Sequence, residues 1–262
     1  MKIPGSKTTA FGRYTLAFYD GFEASVLDTS RWLPHYLPQW SSRAATEARY
    51  TLTGDSLILH IPDDQKPWSP EFNGNVRVSS LQTGVFSGPI GTKLGQHRFT
   101  PDCIVREAQE PVRLYTPLYG YFELRAKCRI APHNVAALWM IGFEDVPERS
   151  GEICIFELKG GNVGAHQATI GYGIHPFGDP ALVDEFYEEA FALEVTEFNT
   201  YAAEWTPTAV HFFINGAHVR TIDQSPAYAM QFMLNLYDLE NVPSADSEFV
   251  VDYVAGYRPV DR

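Results

Sequence analysis

Two glutamates, Glu152 and Glu157, lie five positions apart in a segment that is otherwise apolar and rich in β-branched and aromatic residues. Burying an unpaired carboxylate is costly, so acids are uncommon in such a segment. Two carboxylic acids that face one cleft can share a reaction, in which one acts as nucleophile and the other transfers the proton. This is the chemistry of retaining cleavage of a glycosidic bond.

Regular strand geometry does not bring this pair together. Side chains alternate along a strand, so Glu152 and Cys154 share one face while Glu157 falls on the opposite face. A single β-bulge at residues 155–156 would turn Glu157 back beside the other two. The sequence therefore predicts a bulged strand over residues 151–158 with both acids in one cleft. The alternative is that the two glutamates are ordinary solvated residues on an outer strand.

Short strands separated by turns account for most of the remaining chain. Alternating or continuously apolar patterns predict strands within residues 50–61, 75–85, 92–106, 119–130, 135–143, 167–175, 200–205, 209–214, 219–222, 230–237 and 249–257. Residues 63–75 have the composition of a long loop. Residues 179–193 have helical propensity but a poor apolar stripe, so helix and strand both remain open there.

This pattern predicts an all-β fold, a two-sheet antiparallel β-sandwich of the jelly-roll type. We expect one domain over residues 1–262, with residues 1–14 as a loose N-terminal segment. Cys103, Cys128 and Cys154 are odd in number and lack metal-site spacing, so we expect free thiols.

The net charge of −12 argues against nucleic acid and anionic membrane as partners and is compatible with a neutral polysaccharide. No stretch reaches transmembrane length, and the first residues contain no apolar leader. We therefore expect a cytoplasmic protein, or a secreted one if a leader has been removed. We also expect a monomer.

Seven blocks of the sequence, in this order and spacing, resemble the family 16 glycoside hydrolases. The resemblance runs from about residue 15 to the C-terminus. The blocks are residues 18–32, 119–126, 137–142, 151–157, 198–207, 215–216 and 251–254.

The resemblance implies a jelly roll with a substrate cleft on its concave face and retaining cleavage, or transfer, of β-linked glucans and galactans. The family motif Glu-x-Asp-x-x-Glu is matched at Glu152, as the implied nucleophile, and at Glu157, as the implied general acid/base. The expected activity is an endo-β-glycoside hydrolase with β-1,3-glucan as the leading substrate. Two alternatives remain open: a lectin-like polysaccharide-binding protein with impaired catalysis, and a glucan transglycosylase.

Cys154 takes the position of the middle aspartate in the family motif. A thiol beside two carboxylates should be neutral, because its ordinary pKa of about 8.5 is raised there. It is also only a weak hydrogen-bond donor. We therefore expect a less restrained Glu152 and a slower enzyme. For Glu157 we expect a raised pKa, caused by burial and by the charge of Glu152.

Aromatic side chains are the other candidates for substrate binding, because an aromatic face stacks on the apolar face of a sugar ring. The resemblance implies this role for Trp139. We also consider Trp205, Trp40 and Trp68, although each could instead pack in a core. His175 could bind a sugar hydroxyl or the leaving oxygen, or be structural.

No cofactor is expected, and one metal site is possible. The family sometimes carries a structural calcium ion on the convex side of the sandwich, and Asp252 matches one of its ligands. Calcium takes six to eight oxygen ligands, and the sequence does not reveal the others.

Overall fold

The computed structural model describes residues 3–243 and 246–260 of the chain, and strands dominate both ranges. The first nine strands are β1 (Ser6–Thr8), β2 (Arg13–Asp20), β3 (Tyr50–Leu52), β4 (Leu57–Leu59), β5 (Arg77–Gln82), β6 (Gly84–Val85), β7 (Val112–Arg113), β8 (Gly120–Arg129) and β9 (Asn134–Gly142). The next eight are β10 (Glu152–Lys159), β11 (Ala168–His175), β12 (Glu185–Phe191), β13 (Asn199–Trp205), β14 (Val210–Ile214), β15 (Ala217–Ile222), β16 (Met230–Asp238) and β17 (Glu248–Pro259). A one-turn helix, α1 (Pro70–Asn73), and short 3₁₀ turns at Pro38–Trp40 and Gly160–Asn162 complete the described elements.

Fifteen of these strands form two large antiparallel sheets that pack as a sandwich, and β6 and β7 pair in a separate two-stranded sheet. The nine-stranded sheet has the order β1-β2-β17-β8-β13-β14-β15, with β4 pairing on β17 and β3 on β4. The six-stranded sheet has the order β12-β11-β10-β9-β16-β5. The predicted all-β sandwich is confirmed, and β10, which carries both acids, lies inside the six-stranded sheet between β9 and β11.

The two faces of the six-stranded sheet are buried in different ways. One face packs on the nine-stranded sheet, where Leu138 and Met140 of β9 share a core with Phe122 and Leu124 of β8. The opposite face is partly covered by long loops, and Trp139 belongs to a second apolar cluster there. The loop-covered face is the one on which a cleft can form, because only loops and not a second sheet lie over it.

Within residues 179–193, where helix and strand were both open, the structure has β12, which pairs with β11 along its whole length. Two expectations about elements are wrong. Residues 92–106 form turns and irregular backbone instead of a strand, and some of their backbone bonds close within the segment, as when the Val105 amide donates to the Thr92 carbonyl at 2.8 Å. Residues 1–14 are not all loose, since β1 pairs with β2.

All three cysteines are free and buried, as expected. Within residues 3–243 and 246–260, no helix is long and apolar enough to cross a membrane.

Candidate active site

The predicted bulge is present in β10 and is confirmed by the pairing on both sides. Against β9, Cys154 pairs with Trp139 and Phe156 with Leu138, so Ile155 is the inserted residue. The pairing with β11 shifts over the same interval. Ile155 and Phe156 consequently both point into the core between the sheets. The extra residue restores the alternation that brings Glu157 to the face of Glu152.

Glu152 and Glu157 line one cavity of about 330 Å³ on the loop-covered face of the six-stranded sheet. Trp139 and His175 line the same cavity, as does Lys159 at the end of β10. The alternative of two separate, solvated glutamates is therefore excluded. An aromatic ring, a histidine and two acids that open into one cavity are suited to bind and cleave a sugar chain.

Glu152 is a buried acid that the protein leaves without a donor. Its side chain is 8% exposed, and no hydrogen bond reaches its carboxyl group from the described residues. Burial, followed by the charges of Glu157 and Asp184, raises the pKa of Glu152 well above its ordinary range. The carboxyl group is therefore available to a ligand in the cavity.

Glu157 lies in a more balanced environment. Burial raises the pKa of Glu157, and Glu188 raises it further, while Lys159 and His175 lower it. Lys159 Nζ lies 3.5 Å from Glu157 Oε1 and bridges to Glu188 at 2.8 Å. The positive charge stabilises the ionised form of Glu157.

Cys154 lies between the two acids on β10 and is 1% exposed. Burial, with the charges of Glu157 and Glu152, raises the pKa of its thiol well above the ordinary range. The thiol is therefore neutral, and it is a weak donor where a protonated aspartic acid would be a strong one.

His175 faces Glu152 across the β10–β11 ladder. Its Nδ1 lies 2.6 Å from Asp184 Oδ1. Because a carboxylate only accepts, Nδ1–H is the donor of this bond, and no described residue forms a hydrogen bond with Nε2. The contact orients the imidazole at the cavity wall.

Three of the tryptophans considered for substrate binding lie away from the cavity. Trp205 is fully buried between the sheets, and its indole N–H donates to Ser225 Oγ at 2.9 Å. Trp40 and Trp68 are each 1% exposed in the cluster beneath the loops. No ring face of the three is open to a sugar, so this prediction is wrong for them. Trp139 alone of the four lines the cavity.

Residues around Asp252 do not fit a calcium site. The Asp252 carboxylate forms an ion pair with the guanidinium group of Arg125, which supplies the positive charge at this position. Within the described parts of the chain, no group of three or more His, Cys, Asp or Glu side chains is placed to hold a metal ion.

Two aromatic side chains of the cavity, His97 and Phe177, were missed by the sequence analysis because they lie in loops. The His97 ring lies between Trp139, at 4.9 Å, and Phe177, at 4.8 Å between ring centroids. Burial, with the neighbouring His175, lowers the pKa of His97 to about 4, so this imidazole is neutral at pH 7. Neither residue belongs to a pattern that periodicity or a motif could identify.

Comparison with known proteins places these residues in a family. The model of the glycosyl hydrolases family 16 matches residues 115–255, which is more than half of the chain and includes β9, β10 and β11. Comparison with curated protein sequences finds no match.

Solved structures with the same fold are numerous. A GlcNAcα1-4Gal releasing endo-β-galactosidase from Clostridium perfringens is 29% identical with a TM-score of 0.84, and the match covers 100% of this chain and 66% of that one. This chain thus spans slightly less than two thirds of the clostridial protein. A laminarinase from Rhodothermus marinus is 18% identical with a TM-score of 0.63, covering 95% of this chain and 98% of that one. An endo-β-1,3-glucanase from Pyrococcus furiosus is 15% identical with a TM-score of 0.59, covering 99% and 100%.

Proposed function

The chain belongs to the glycosyl hydrolases family 16, and we propose that it is a retaining endo-β-glycosidase with Glu152 as nucleophile and Glu157 as general acid/base. The observation that carries this proposal is the bulge in β10, which brings both carboxyl groups into one cavity. A retaining mechanism needs the two groups about 5–5.5 Å apart, so both must reach the same sugar linkage.

In the first step, Glu152 attacks the anomeric carbon and forms a glycosyl ester. The bond from that carbon to the leaving oxygen breaks, and Glu157 donates its proton to this oxygen. In the second step, the ionised Glu157 takes a proton from water, and the resulting hydroxide displaces Glu152. Two inversions at the same carbon leave its configuration unchanged.

The first step needs Glu152 ionised and Glu157 protonated. Burial raises the pKa of both acids. Developing positive charge at the anomeric carbon stabilises an ionised Glu152. A charge on one acid disfavours a second like charge nearby, so an ionised Glu152 favours the protonated form of Glu157.

The proposed substrate is a chain with internal β-galactosidic bonds. This choice rests on the similarity to the clostridial endo-β-galactosidase, which extends along the whole of this chain. The laminarinases share less than one residue in five with this protein, which supports a common fold only. β-1,3-Glucan stays a prediction from the sequence resemblance and is the second substrate to test.

The test is release of reducing ends from mucin-type glycans, galactan and laminarin. We expect wild type to cleave one of these, and Glu152→Gln to lose at least about 10⁴-fold in kcat, as when an enzyme loses its nucleophile. Glu110→Gln, at an exposed acid that does not line the cavity, is the matched control and should behave as wild type. Proton NMR of the first product should show the β-anomer before mutarotation, and the α-anomer would contradict a retaining mechanism.

Cys154 favours a second candidate, a lectin-like protein that binds the same chains without cleaving them. The neutral thiol is a weak donor, and no hydrogen bond from it or from any other described residue holds the Glu152 carboxyl group. Binding without product release, equal in wild type and Glu152→Gln, would establish this alternative. Lengthened oligosaccharides among the products would instead identify transfer to a sugar acceptor.

A further inference from the structure

The mechanism makes no use of a cavity of about 470 Å³ to which β8 of the nine-stranded sheet contributes Arg125 and Lys127. Leu124 and Ala126 of the same strand belong to the core between the sheets. Because side chains alternate along a strand, Arg125 and Lys127 point to the opposite, outer face of the sheet. This outer cavity therefore lies across the sandwich from the active-site cavity.

Two aromatic side chains stand on opposite sides of the outer cavity. Tyr19 lies on β2, and Phe198 immediately precedes β13. In the sheet order β2-β17-β8-β13, both rings flank the two strands that form the floor. Neighbouring strands are about 4.8 Å apart, so β2 and β13 are separated by about 14 Å. That width is enough for a sugar ring to lie between the two aromatic side chains.

Both rings are held by their neighbours. The guanidinium carbon of Arg125 lies 4.6 Å from the centroid of the Phe198 ring, and the Lys127 ammonium group lies 4.9 Å from it. The Tyr19 hydroxyl lies over Gly21, where a Cβ atom would collide with it. Side chains that are fixed before binding lose little conformational entropy when they contact a ligand.

A bulge in β17 contributes a charged pair to the floor. Against β8, Val251 pairs with Ala126 and Tyr253 with Arg125, so Asp252 is the inserted residue. Its carboxylate forms an ion pair with the Arg125 guanidinium group. The pair brings nitrogen donors and carboxylate oxygens to the outer cavity without adding net charge.

Three further polar groups line the outer cavity without a hydrogen-bond partner among the described residues. They are the Tyr19 hydroxyl, the Lys127 ammonium group and the Glu23 carboxyl group. With Asp55 and the ion pair, the lining holds three acids and two bases, so it matches neither a strongly anionic nor a strongly cationic ligand. Sugar hydroxyls both donate and accept, so a neutral sugar can use these donors and acceptors together.

We propose that the outer cavity binds a second stretch of the neutral polysaccharide on which the enzyme acts. Phe198 and Tyr19 contact the apolar faces of sugar rings, and Lys127 and Glu23 form hydrogen bonds with hydroxyls. The stretch at the outer cavity is distinct from the one at the active site, because the two cavities lie on different sheets. Binding there keeps the protein on a polymer between cleavages. The identity of the polysaccharide rests on the proposed function.

The experiment measures binding separately from cleavage. Native gel electrophoresis in soluble polysaccharide uses Glu152→Gln as the parent protein, because this protein lacks the nucleophile. The polysaccharide is the one that wild type cleaves, or galactan and laminarin in turn if wild type cleaves none. The substitutions added to the parent are Phe198→Ala, Lys127→Ala and Tyr19→Phe at the outer cavity, Trp139→Ala at the active site, and Lys66→Ala as an exposed control.

We expect Phe198→Ala to lower the affinity for the polymer about 3- to 10-fold, as for the loss of one aromatic contact. Lys127→Ala and Tyr19→Phe should each lower it about 2- to 10-fold, as for the loss of one hydrogen bond. The Trp139→Ala protein should still bind the polymer, and adding Phe198→Ala should remove that binding. Lys66→Ala should behave as the parent.

The same outer substitutions are also made with Glu152 intact. They should raise KM for the polymer and leave kcat/KM unchanged for an aryl β-glycoside of two sugar units, which is too short to reach across the sandwich. Melting temperatures check folding. Tyr19→Phe removes a single oxygen atom and keeps the comparison valid if Phe198→Ala does not fold.

Polymer affinity equal to that of the parent in Phe198→Ala and Lys127→Ala would overturn the proposal. A loss that appears equally with the two-unit substrate would also overturn it, because the substitution would then act through the fold. A loss that disappears at high salt would indicate attraction of an anionic chain and not recognition of a neutral one. If wild type cleaves no polysaccharide, the proposed function fails, while the binding comparison still decides this proposal. A parent protein that binds neither galactan nor laminarin counts against both.

Discussion

Glu123 and Glu152 are equally exposed, each at 8%, yet their carboxyl groups have opposite hydrogen-bonding environments in the two sheets. On β8 of the nine-stranded sheet, the Glu123 carboxylate accepts hydrogen bonds from Tyr121 at 3.0 Å and Tyr253 at 2.8 Å, and it forms an ion pair with Lys7. On β10 of the six-stranded sheet, no donor from the described residues reaches Glu152, and its oxygens open into a cavity.

Burial alone therefore does not distinguish a structural acid from a reactive one. A buried carboxylate that is saturated with donors stabilises the fold, and removing it leaves those donors unpaired. A buried carboxylate without donors costs stability and keeps its binding capacity for a ligand. Glu123 connects the N-terminal strand β1 to the sheet through Lys7, whereas the carboxyl group of Glu152 is open to a ligand in the cavity. The following predictions test this difference.

The largest effect apart from loss of the nucleophile is expected for Glu157→Gln. Without a proton donor, kcat on a natural linkage should fall about 10²- to 10⁴-fold, the usual contribution of general acid/base catalysis. With a nitrophenyl leaving group, which departs without protonation, the loss in the first step should be much smaller. Steady-state kinetics on both substrates measures this. Equal losses on the two would contradict the assignment, and Glu123→Gln should lose little activity on either.

Cys154→Asp should raise kcat roughly tenfold. A carboxylic acid is a much stronger donor to Glu152 than a thiol, and a gain of about 1.4 kcal/mol in the transition state corresponds to that factor. Cys154→Ser, with a hydroxyl donor, should fall between the two. The comparison uses kcat on one substrate, with melting temperatures to check folding. A decrease in both variants would mean that the thiol is itself needed at this site.

Stability should respond in opposite directions at the two matched acids. Glu123→Gln should lower the free energy of unfolding by about 1–3 kcal/mol, because it breaks an ion pair and disturbs two tyrosine donors. Glu152→Gln should leave stability unchanged or raise it. Urea unfolding of the two variants beside wild type measures this. Destabilisation of equal size in both would show that Glu152 has a structural role that its surroundings do not reveal.

The stability difference between Glu152→Gln and wild type should also depend on pH. Because the pKa of Glu152 is raised in the folded state above its ordinary 4.5, folded protein binds more protons than unfolded protein at higher pH. The contribution of this raised pKa to the free energy of unfolding is fully present below pH 4.5. It is lost as the pH rises through the folded-state pKa. The variant should lack this loss, so its advantage should grow from acid to neutral pH.

The smallest effect is expected for Lys159→Met, which should shift the pH dependence of kcat/KM. Lys159 lowers the pKa of Glu157, so Lys159→Met should let Glu157 keep its proton to higher pH. The alkaline limb of kcat/KM should then move upward by less than about one pH unit, because Lys159 is 43% exposed and its charge is screened. Lys66→Met, at an exposed site, is the control. A shift toward lower pH would contradict the predicted influence of Lys159.

Strand positions and the bulge could be predicted because alternation is a local property. Ile153 and Leu158 flank two acids that regular alternation would separate, and one inserted residue is the simplest remedy. The role of the tryptophans could not be predicted in this way. Trp139 and Trp205 both lie in apolar strands. Only the packing of the two sheets decides that the Trp139 ring lines a cavity and that the Trp205 ring is buried in the core.

The sequence by itself determined the all-β architecture, the bulged strand and the placing of Glu152, Cys154 and Glu157 on one face. Each follows from side-chain period and residue type over a few neighbouring positions. Only the tertiary structure decided that Glu123 accepts hydrogen bonds from several donors while no described residue donates to Glu152. That outcome depends on contacts between residues far apart in the chain, such as Lys7 with Glu123, which no local pattern encodes.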